Sequence, residues 1–267
     1  EVRPGHVAVT LDDGAVLTGR LLVGADGRGS GVAARAEITR RGWGYGQTAL
    51  VCAVDHDRPH NGTAWQFFMP EGPLAILPLP GNRSSIVWSA PDAQAAAIAA
   101  LDDARFLDVL RPRFGDFLGE IRLAGPRFSY PLSLSLADHY VAARVALVGD
   151  AAHGVHPIAG QGLNLGLRDV AALAEVVVEA ARRGEDIGAP DVLDRYQRWR
   201  RFDATALGLG MDTVNRLFSN ANPVLRAARG LGMGAVTAIP PLRRAFMRQA
   251  AGLTLDPMPR LLAGQPL

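Results

Sequence analysis

The segment at residues 146–164 constrains the fold of this chain most strongly. It begins with a short apolar run that ends in Gly149-Asp150, passes through Pro157 and reaches a glycine-rich turn at residues 160–164. Such an apolar run is typical of a buried parallel strand, and the turn precedes a long stretch of helical periodicity. Ligands of open α/β sheets bind at the carboxyl ends of parallel strands. The segment therefore predicts a strand, a turn and a helix, with a ligand site at Asp150.

The turn at residues 160–164 carries a second feature of a binding site. The first N–H groups of a helix lack partners within the helix, and the helix dipole adds positive potential at that end. Glycines at 160 and 162 would let a flat ligand approach the backbone closely. The alternative is that Asp150 only caps a turn, but a cap requires neither Pro157 nor the glycine pair. We therefore expect a ligand that offers a hydroxyl to Asp150 and a partly negative oxygen to the helix.

Composition narrows the class of protein. Of the 267 residues, 48% are hydrophobic, which is enough for one large domain or two smaller ones. The single cysteine, Cys52, excludes an internal disulfide framework, fits a cytoplasmic protein and is expected inside a strand. No run reaches the roughly 20 apolar residues of a membrane-spanning helix. Because the chain begins Glu1-Val2-Arg3-Pro4 and enters a strand at once, we interpret it as a fragment.

Short alternating runs predict the strands. Residues 6–10 and 15–17 flank a turn at Asp12-Asp13-Gly14 and predict a hairpin, and residues 20–23 predict a strand that ends at a glycine-rich turn. Further strand-like runs predict an antiparallel sheet with one solvated or ligand-facing side: 48–54, 64–69, 75–79, 84–88 and 121–136. Four aromatic residues on these runs are expected to lie mostly in the core, although one face could line an apolar aromatic pocket: Trp65, Phe67, Phe68 and Trp88.

Helical periodicity predicts the remaining elements. Residues 93–110 predict one helix, and residues 162–182 predict the clearest helix, with a stop signal at Gly184. Two further helices are predicted at 192–207 and 213–249, with breaks at Pro223 and Pro240-Pro241. The order of elements predicts an α/β (α+β) fold in which one domain interrupts another, with Asp26 and Asp150 at matching strand ends.

Gly149-Asp150, with Pro157 and residues 160–164, resembles the second flavin motif of the para-hydroxybenzoate-hydroxylase-like flavoprotein monooxygenases. The resemblance implies that the aspartate holds a ribityl hydroxyl and that the helix start faces the pyrimidine end of the isoalloxazine. Asp26-Gly27 resembles the family's Asp-Gly motif, which is associated with the flavin pyrophosphate and with NAD(P)H; its alternative is a simple turn aspartate. The residues thereby assigned to FAD are Gly24, Asp26, Gly27, Gly149, Asp150, Pro157, Gly160, Gln161, Gly162, Leu163 and Asn164.

The resemblance also implies a domain plan. Residues 1–42 and 138–212 would form an incomplete FAD-binding Rossmann-like domain, because the family's N-terminal Gly-x-Gly-x-x-Gly is absent and is expected before Glu1. Gly230 to Gly234 has the wrong spacing for that motif and follows a helix. Residues 43–137 would form a substrate-binding antiparallel β-sheet domain, and residues 213–267 a C-terminal helical tail.

Several other segments resemble the ubiquinone-biosynthesis branch of that family: 45–48, 58–62, 81–85, 215–220, 240–244 and 246–248. Members of that branch hydroxylate polyprenylated phenols. The resemblance therefore implies a monooxygenase that uses FAD, NAD(P)H and O2 through a flavin C4a-hydroperoxide, with a phenolic substrate bound against the sheet. No residue is singled out as a catalytic base. Two alternatives stay open: a reductase or halogenase of the same fold, although no Trp-x-Trp-x-x-Ile motif is present, and an inactive scaffold of a membrane-bound multienzyme complex.

Two histidine pairs and an arginine-rich end complete the candidates. His153 with His156, and His56 with His60, lack third and fourth ligands, so we expect structural roles and no metal site. Residues 216–267 contain one acid, Asp256, and seven arginines: 216, 226, 229, 243, 244, 248 and 260. This pattern fits a solvated helix face or a basic amphipathic tail on the anionic inner membrane. The net charge of +2 and the motifs give no support for nucleic-acid binding.

Overall fold

The chain forms two compact units in a computed structural model that describes residues 1–157, 160–218, 232, 234, 236, 238–250 and 257–267. Unit 1 consists of Glu1–Trp43, Ser133–Thr213 and Gly234–Leu267, and unit 2 consists of Gly44–Leu132 and Val214–Met233.

Strands and helices are numbered in chain order. The strands are β1 (Val2–Arg3), β2 (His6–Thr10), β3 (Val16–Gly19), β4 (Leu22–Gly24), β5 (Arg40–His56), β6 (Trp65–Met69), β7 (Gly72–Leu79), β8 (Arg83–Pro91), β9 (Ile121–Leu123), β10 (Phe128–Ala137), β11 (Val141–Ala142), β12 (Val145–Leu147) and β13 (His153–Gly154). The helices are α1 (Gly31–Arg35), α2 (Asp92–Ala99), α3 (Asp103–Phe114), α4 (Gly162–Arg182), α5 (Pro190–Phe218) and α6 (Pro240–Ala250). Gly149–Ala151 form a short 3-10 turn.

Unit 1 contains a small sheet of order β11-β12-β4, in which β4 and β12 are parallel. Val23 on β4 pairs with Ala146 on β12, and β12 is completely buried, as its apolar run predicts. Because the two strands are parallel and in register, both end at the same edge of the sheet, and Asp26 and Asp150 follow there. The predicted hairpin is confirmed as β2 and β3, which belong to a separate three-stranded sheet with β1.

Unit 2 is built on the predicted antiparallel sheet, with the strand order β10-β5-β8-β7-β6 and with β9 paired to β5. Alternate side chains on these strands pack against α2 and α3, so that Cys52 and Trp88 share a buried core with Phe106. Burial raises the pKa of the Cys52 thiol to about 11. Of the four aromatic residues, Trp88 is buried and Trp65 is half-buried, whereas Phe67 and Phe68 are 38% and 36% exposed.

The structure corrects two helix predictions. Residues 93–110 do not form one helix, because Asp102 has an extended backbone and its side chain accepts a hydrogen bond from the Arg105 N–H, which starts α3 anew. The predicted interruption between residues 207 and 213 is absent, since α5 runs through Gly208. A side chain at Gly208 would meet Val155 at 3.4 Å, so this glycine allows close packing.

Other helix predictions hold or fall outside the structure. The predicted helix at 162–182 has the observed bounds of α4. The predicted break at Pro240 is confirmed, because α6 begins there. Pro223 and most of the run Gly230 to Gly234 lie outside the described residues.

Candidate functional site

Asp150 lies directly after β12, within the 3-10 turn, and its carboxylate is 37% exposed. Arg28 Nε donates to Asp150 Oδ2 at 2.9 Å. The same guanidinium donates to the backbone oxygens of Ser133 at 3.0 Å and of Val155 at 2.7 Å. Because three different segments fix the guanidinium, Arg28 holds the carboxylate in one orientation.

Helix α4 begins beside that carboxylate. A Cβ built on Gly162 would lie 3.9 Å from Asp150 Oδ1, so a side chain at this position would fill the space next to the carboxylate. Gln161 occupies the N-cap position, but its side chain does not cap the helix; its Oε1 instead accepts from Asn164 Nδ2 at 3.3 Å. The first N–H groups of a 21-residue helix therefore lie next to Asp150 without a cap from Gln161.

Glycines make this arrangement possible at two points. Gly149 has a φ of +60°, and a Cβ on Gly166 would lie only 3.3 Å from the Gly149 Cα, so the turn and α4 cross where no side chain fits. Gly160 has a φ of +61° and its N–H donates to the Pro157 oxygen at 3.0 Å, which closes the turn before α4. Leu163 is 74% exposed on the first turn of α4.

Asp26, in the predicted Asp-Gly motif, has an environment different from that of Asp150. Its Oδ1 accepts from Ser30 Oγ at 2.6 Å, and its Oδ2 accepts from the Val32 N–H at 3.0 Å, at the start of α1. Burial would raise the pKa of Asp26, but hydrogen bonds from Ser30 and from backbone N–H groups hold it below its ordinary value. Both oxygens thus serve α1, as the turn-aspartate alternative requires.

The two glycines near Asp26 have different roles. Gly24 is buried at the end of β4, where a Cβ would lie 2.8 Å from a methyl group of Leu147 and 2.9 Å from one of Val32. Gly24 is therefore needed for packing. Gly27 has a φ of +79° and an open environment, so it allows the turn itself.

Sequence reasoning missed two arginines that connect these turns. Arg28, which follows Asp26-Gly27, donates to Asp150, a residue 122 positions further along the chain. Arg40 donates to the backbone oxygens of both Arg28 and Asp150, the latter at 2.8 Å. The only local signal was the position of Arg28 directly after Asp26-Gly27, because sequence spacing does not show which carboxylate a distant guanidinium reaches.

The two predicted histidine pairs contact other groups of the chain. His56 and His60 each have a ring nitrogen within 2.8 Å of a backbone oxygen. The His153 ring contacts the buried Asp169 carboxylate. Burial and the positive charge of Arg28 lower the pKa of His156 to about 4. Within the described parts of the chain, no group of three His, Cys, Asp or Glu side chains could hold a metal ion.

The arginine-rich end is only partly described, since Arg226, Arg229 and Asp256 fall outside the described ranges. Arg260 packs back on α4, where its guanidinium lies 3.4 Å from Glu175 and 3.1 Å from Glu179. On α6, Arg243, Arg244 and Met247 are exposed. Over the described residues, no helix has both the length and the apolar character that a membrane span needs.

A family model described as "FAD binding domain" matches residues 2–207 of this chain. The chain belongs to this family. The ubiquinone hydroxylase UbiL of Rhodospirillum rubrum is 52% identical over 263 residues, covering 98% of this chain and 61% of that protein. The 3-demethoxyubiquinol 3-hydroxylase of Escherichia coli is 39% identical over 91% of this chain and 62% of its own length. For the human mitochondrial ubiquinone biosynthesis monooxygenase COQ6 the identity is 36%, over 92% of this chain and 60% of that protein. The chain thus spans about three fifths of the length of these relatives.

Solved structures confirm the fold class. The p-nitrophenol 4-monooxygenase PnpA of Pseudomonas putida superimposes with a TM-score of 0.76 at 21% identity, over 93% of this chain and 64% of that one. PqsL of Pseudomonas aeruginosa, a probable FAD-dependent monooxygenase, gives a TM-score of 0.62 at 27% identity, over 79% of this chain and 60% of that one. The mixed α/β architecture with an antiparallel sheet is therefore that of FAD-dependent monooxygenases.

The residues around Asp150 fit the cofactor of this family. FAD carries ribityl hydroxyls, which a fixed and half-exposed carboxylate can accept as donors. It also carries a flat ring with carbonyl oxygens, and these suit the positive end of α4, where the Gln161 side chain makes no cap hydrogen bond. The side-chain-free space beside Gly162 leaves room for such a group next to Asp150 Oδ1.

Proposed function

We propose that this chain is the larger part of an FAD-dependent monooxygenase that hydroxylates a polyprenylated phenol in ubiquinone biosynthesis, with NAD(P)H and O2 as co-substrates. The observation that carries the proposal is the Asp150 carboxylate, fixed by Arg28 beside the start of α4 that Gln161 leaves uncapped. The relatives are named as hydroxylases or as a monooxygenase, and these names favour a hydroxylase over a reductase, a halogenase or an inactive scaffold.

Each part of the site would have a defined task. Bound FAD would supply the electron transfer and the oxygen chemistry. Asp150 would accept a hydrogen bond from a ribityl hydroxyl, and the N–H groups of residues 162–164 would stabilise negative charge on the flavin ring. Pro157 and Gly160 would shape the turn beside that ring. Gly24, Asp26 and Gly27 would form the turn near the pyrophosphate.

The phenol would bind to the sheet of unit 2, on the face opposite α2 and α3. Val51 pairs with Val87, and Val87 pairs with Ala75, so these three half-buried apolar side chains form a row across the sheet. A row of small apolar residues suits an aromatic ring with an isoprenoid tail. We expect faster turnover of polyprenylated phenols than of hydroxybenzoate, and equal turnover would contradict this substrate assignment.

Peripheral membrane contact is proposed for α6. Its Met247 and Leu242 are 62% and 37% exposed, and Arg243 and Arg244 are exposed beside them. Apolar side chains next to arginines favour the surface of an anionic bilayer, in which a polyprenylated substrate dissolves. Co-sedimentation with anionic vesicles, weakened in an Arg243→Gln/Arg244→Gln variant, is the expected result. Equal binding of both forms would exclude this contact.

An absorbance spectrum tests the flavin proposal directly. The chain is purified alone and joined to the N-terminal segment of the Rhodospirillum rubrum relative, and both forms are incubated with FAD. We expect protein-bound flavin bands near about 450 nm in the joined form. No bound flavin in either form would contradict the proposal and favour the scaffold alternative.

A further inference from the structure

A buried ion pair lies beneath the turn that carries Asp150. Asp169 on α4 and Arg200 on α5 are both completely buried, and Arg200 Nε donates to Asp169 Oδ1 at 2.9 Å. Removing two charges from water is costly, and well-packed apolar residues in such a position often give equal or greater stability. Stability of the helix pair alone therefore does not explain why charges occupy this place.

The second oxygen of Asp169 contacts the turn itself. Asp169 Oδ2 accepts from the Gly149 N–H at 2.9 Å and from His153 Nε2. These two residues lie on either side of Asp150 in the chain. On the neighbouring helix, the Tyr196 hydroxyl donates to the Leu147 backbone oxygen at 2.6 Å. Side chains of α4 and α5 thus form hydrogen bonds with residues 147, 149 and 153 of the segment that carries Asp150.

The hydrogen bond to Asp169 matters to the turn because Gly149 has no side chain with which to fix its own backbone. Gly149 has no side chain and has a φ of +60°, a conformation that glycine leaves and enters at little cost. At its crossing with Gly166 it meets only backbone. A hydrogen bond to a charged acceptor is stronger than one to a neutral acceptor, so Asp169 is suited to restrain the Gly149 peptide.

We propose that Asp169 is a positioning residue for FAD, and that the ion pair with Arg200 holds the Asp169 carboxylate in the orientation that this task needs. The carboxylate fixes the backbone on both sides of Asp150, so that the cofactor meets a turn already in its binding geometry. This inference rests on the proposed flavin function, because it assigns to Asp169 an effect on FAD affinity that acts through Asp150.

The test compares two double variants in the form joined to the N-terminal segment. Asp169→Leu/Arg200→Met removes both charges of the buried pair, and Asp203, which also accepts from Arg200, keeps Arg168 as a partner at 3.6 Å. The matched control, Glu175→Gln/Arg260→Met, removes another ion pair from the same helix without touching the turn. We expect the Asp169 variant to raise the Kd for FAD about tenfold, as for the loss of one charge-assisted hydrogen bond, and the control to leave the Kd unchanged.

Amide hydrogen exchange separates positioning from a general loss of stability. In the chain without FAD, exchange at the Gly149 amide should become about tenfold faster in the Asp169 variant, a local increase that exceeds what any difference in melting temperature between the two double variants explains. A Tyr196→Phe variant, which removes one hydrogen bond from Leu147, should raise the Kd by a smaller factor. Equal Kd values for the Asp169 variant and the control would overturn the inference.

An Asp150→Ala variant distinguishes the two levels of the proposal. If Asp150→Ala raises the Kd and the Asp169 variant does not, only the positioning role is wrong. If neither changes the Kd, or if the unsubstituted protein does not bind FAD, the flavin assignment at Asp150 fails and the role of Asp169 fails with it.

Discussion

Two carboxylates follow neighbouring parallel strands in this molecule, and their environments differ. Asp26 comes after β4 and uses both oxygens to hold the start of α1, a helix of five residues. Asp150 comes after β12, where Arg28 takes one oxygen and the other lies beside the start of the much longer α4. The strand end supplies a carboxylate in both places, but the helix that follows decides whether it serves the fold or remains open to a ligand.

The residue before each helix explains this difference. Ser30 caps α1, since its hydroxyl accepts from the Ala33 N–H at 2.9 Å and donates to Asp26. Gln161 stands in the same place before α4, and its side chain does not cap the helix. Asp26 and Ser30 accept from the Val32 and Ala33 N–H groups of α1, whereas the Gln161 side chain accepts from none at the start of α4.

Replacing Asp150 or Asp26 by alanine should give the largest changes in FAD affinity and in stability, respectively. In the form joined to the N-terminal segment, Asp150→Ala should raise the Kd for FAD by about tenfold to 100-fold, because hydrogen bonds to charged groups are worth about 1.5–3 kcal/mol. Asp26→Ala should instead lower the free energy of unfolding by about 1 kcal/mol, through the loss of its bonds to the start of α1. Fluorescence titration with FAD and urea unfolding measure the two quantities. Similar changes in Kd for both variants would break the contrast between the two strand ends.

Gly24→Ala tests whether the end of β4 is a packing site. The new methyl group would lie 2.8 Å from Leu147 and 2.9 Å from Val32, so we expect a loss of about 1–3 kcal/mol in the free energy of unfolding. Gly29→Ala is the control in the same loop, because nothing lies within 4 Å of a Cβ there. If urea unfolding shows equal losses for both variants, β4 and α1 are less tightly packed than the structure indicates.

The smallest expected effect is a pH dependence at the Asp26 end. The pKa of Asp26 in the folded chain lies below its ordinary value of 3.8, so its contribution to stability is present above that value and is lost as the pH falls through the folded pKa. Because Asp26 is exposed, we expect less than about 1 kcal/mol. Urea unfolding of Asp26→Asn should therefore show a weaker loss of stability between about pH 5 and about pH 3 than the unsubstituted chain. Parallel pH curves would show that Asp26 keeps its ordinary pKa.

Local patterns predicted those parts of the fold that depend on neighbouring residues. The bounds of α4 and the buried strand β12 follow from periodicity and from an apolar run of the right length. Local patterns did not predict that α5 continues through Gly208, because the side chains that pack against this glycine come from elsewhere in the chain. The same limit applies to the site. Asp150 and Gly162 lie within one motif, whereas the bonds from Arg28 and Arg40 to residue 150 exist only after the chain has folded.

The crossing of Gly149 and Gly166 has a consequence for protein engineering. A methyl group on Gly166 would lie 3.3 Å from the Gly149 Cα, and Gly149 itself has a φ of +60° that residues with a side chain rarely adopt, so neither position accepts a larger residue without strain. A designer who wishes to move this site into another α/β scaffold must therefore transplant the strand, the turn and the first two turns of the helix as one rigid piece. Grafting Asp150 alone would transfer the carboxylate but not the close approach of the turn to α4.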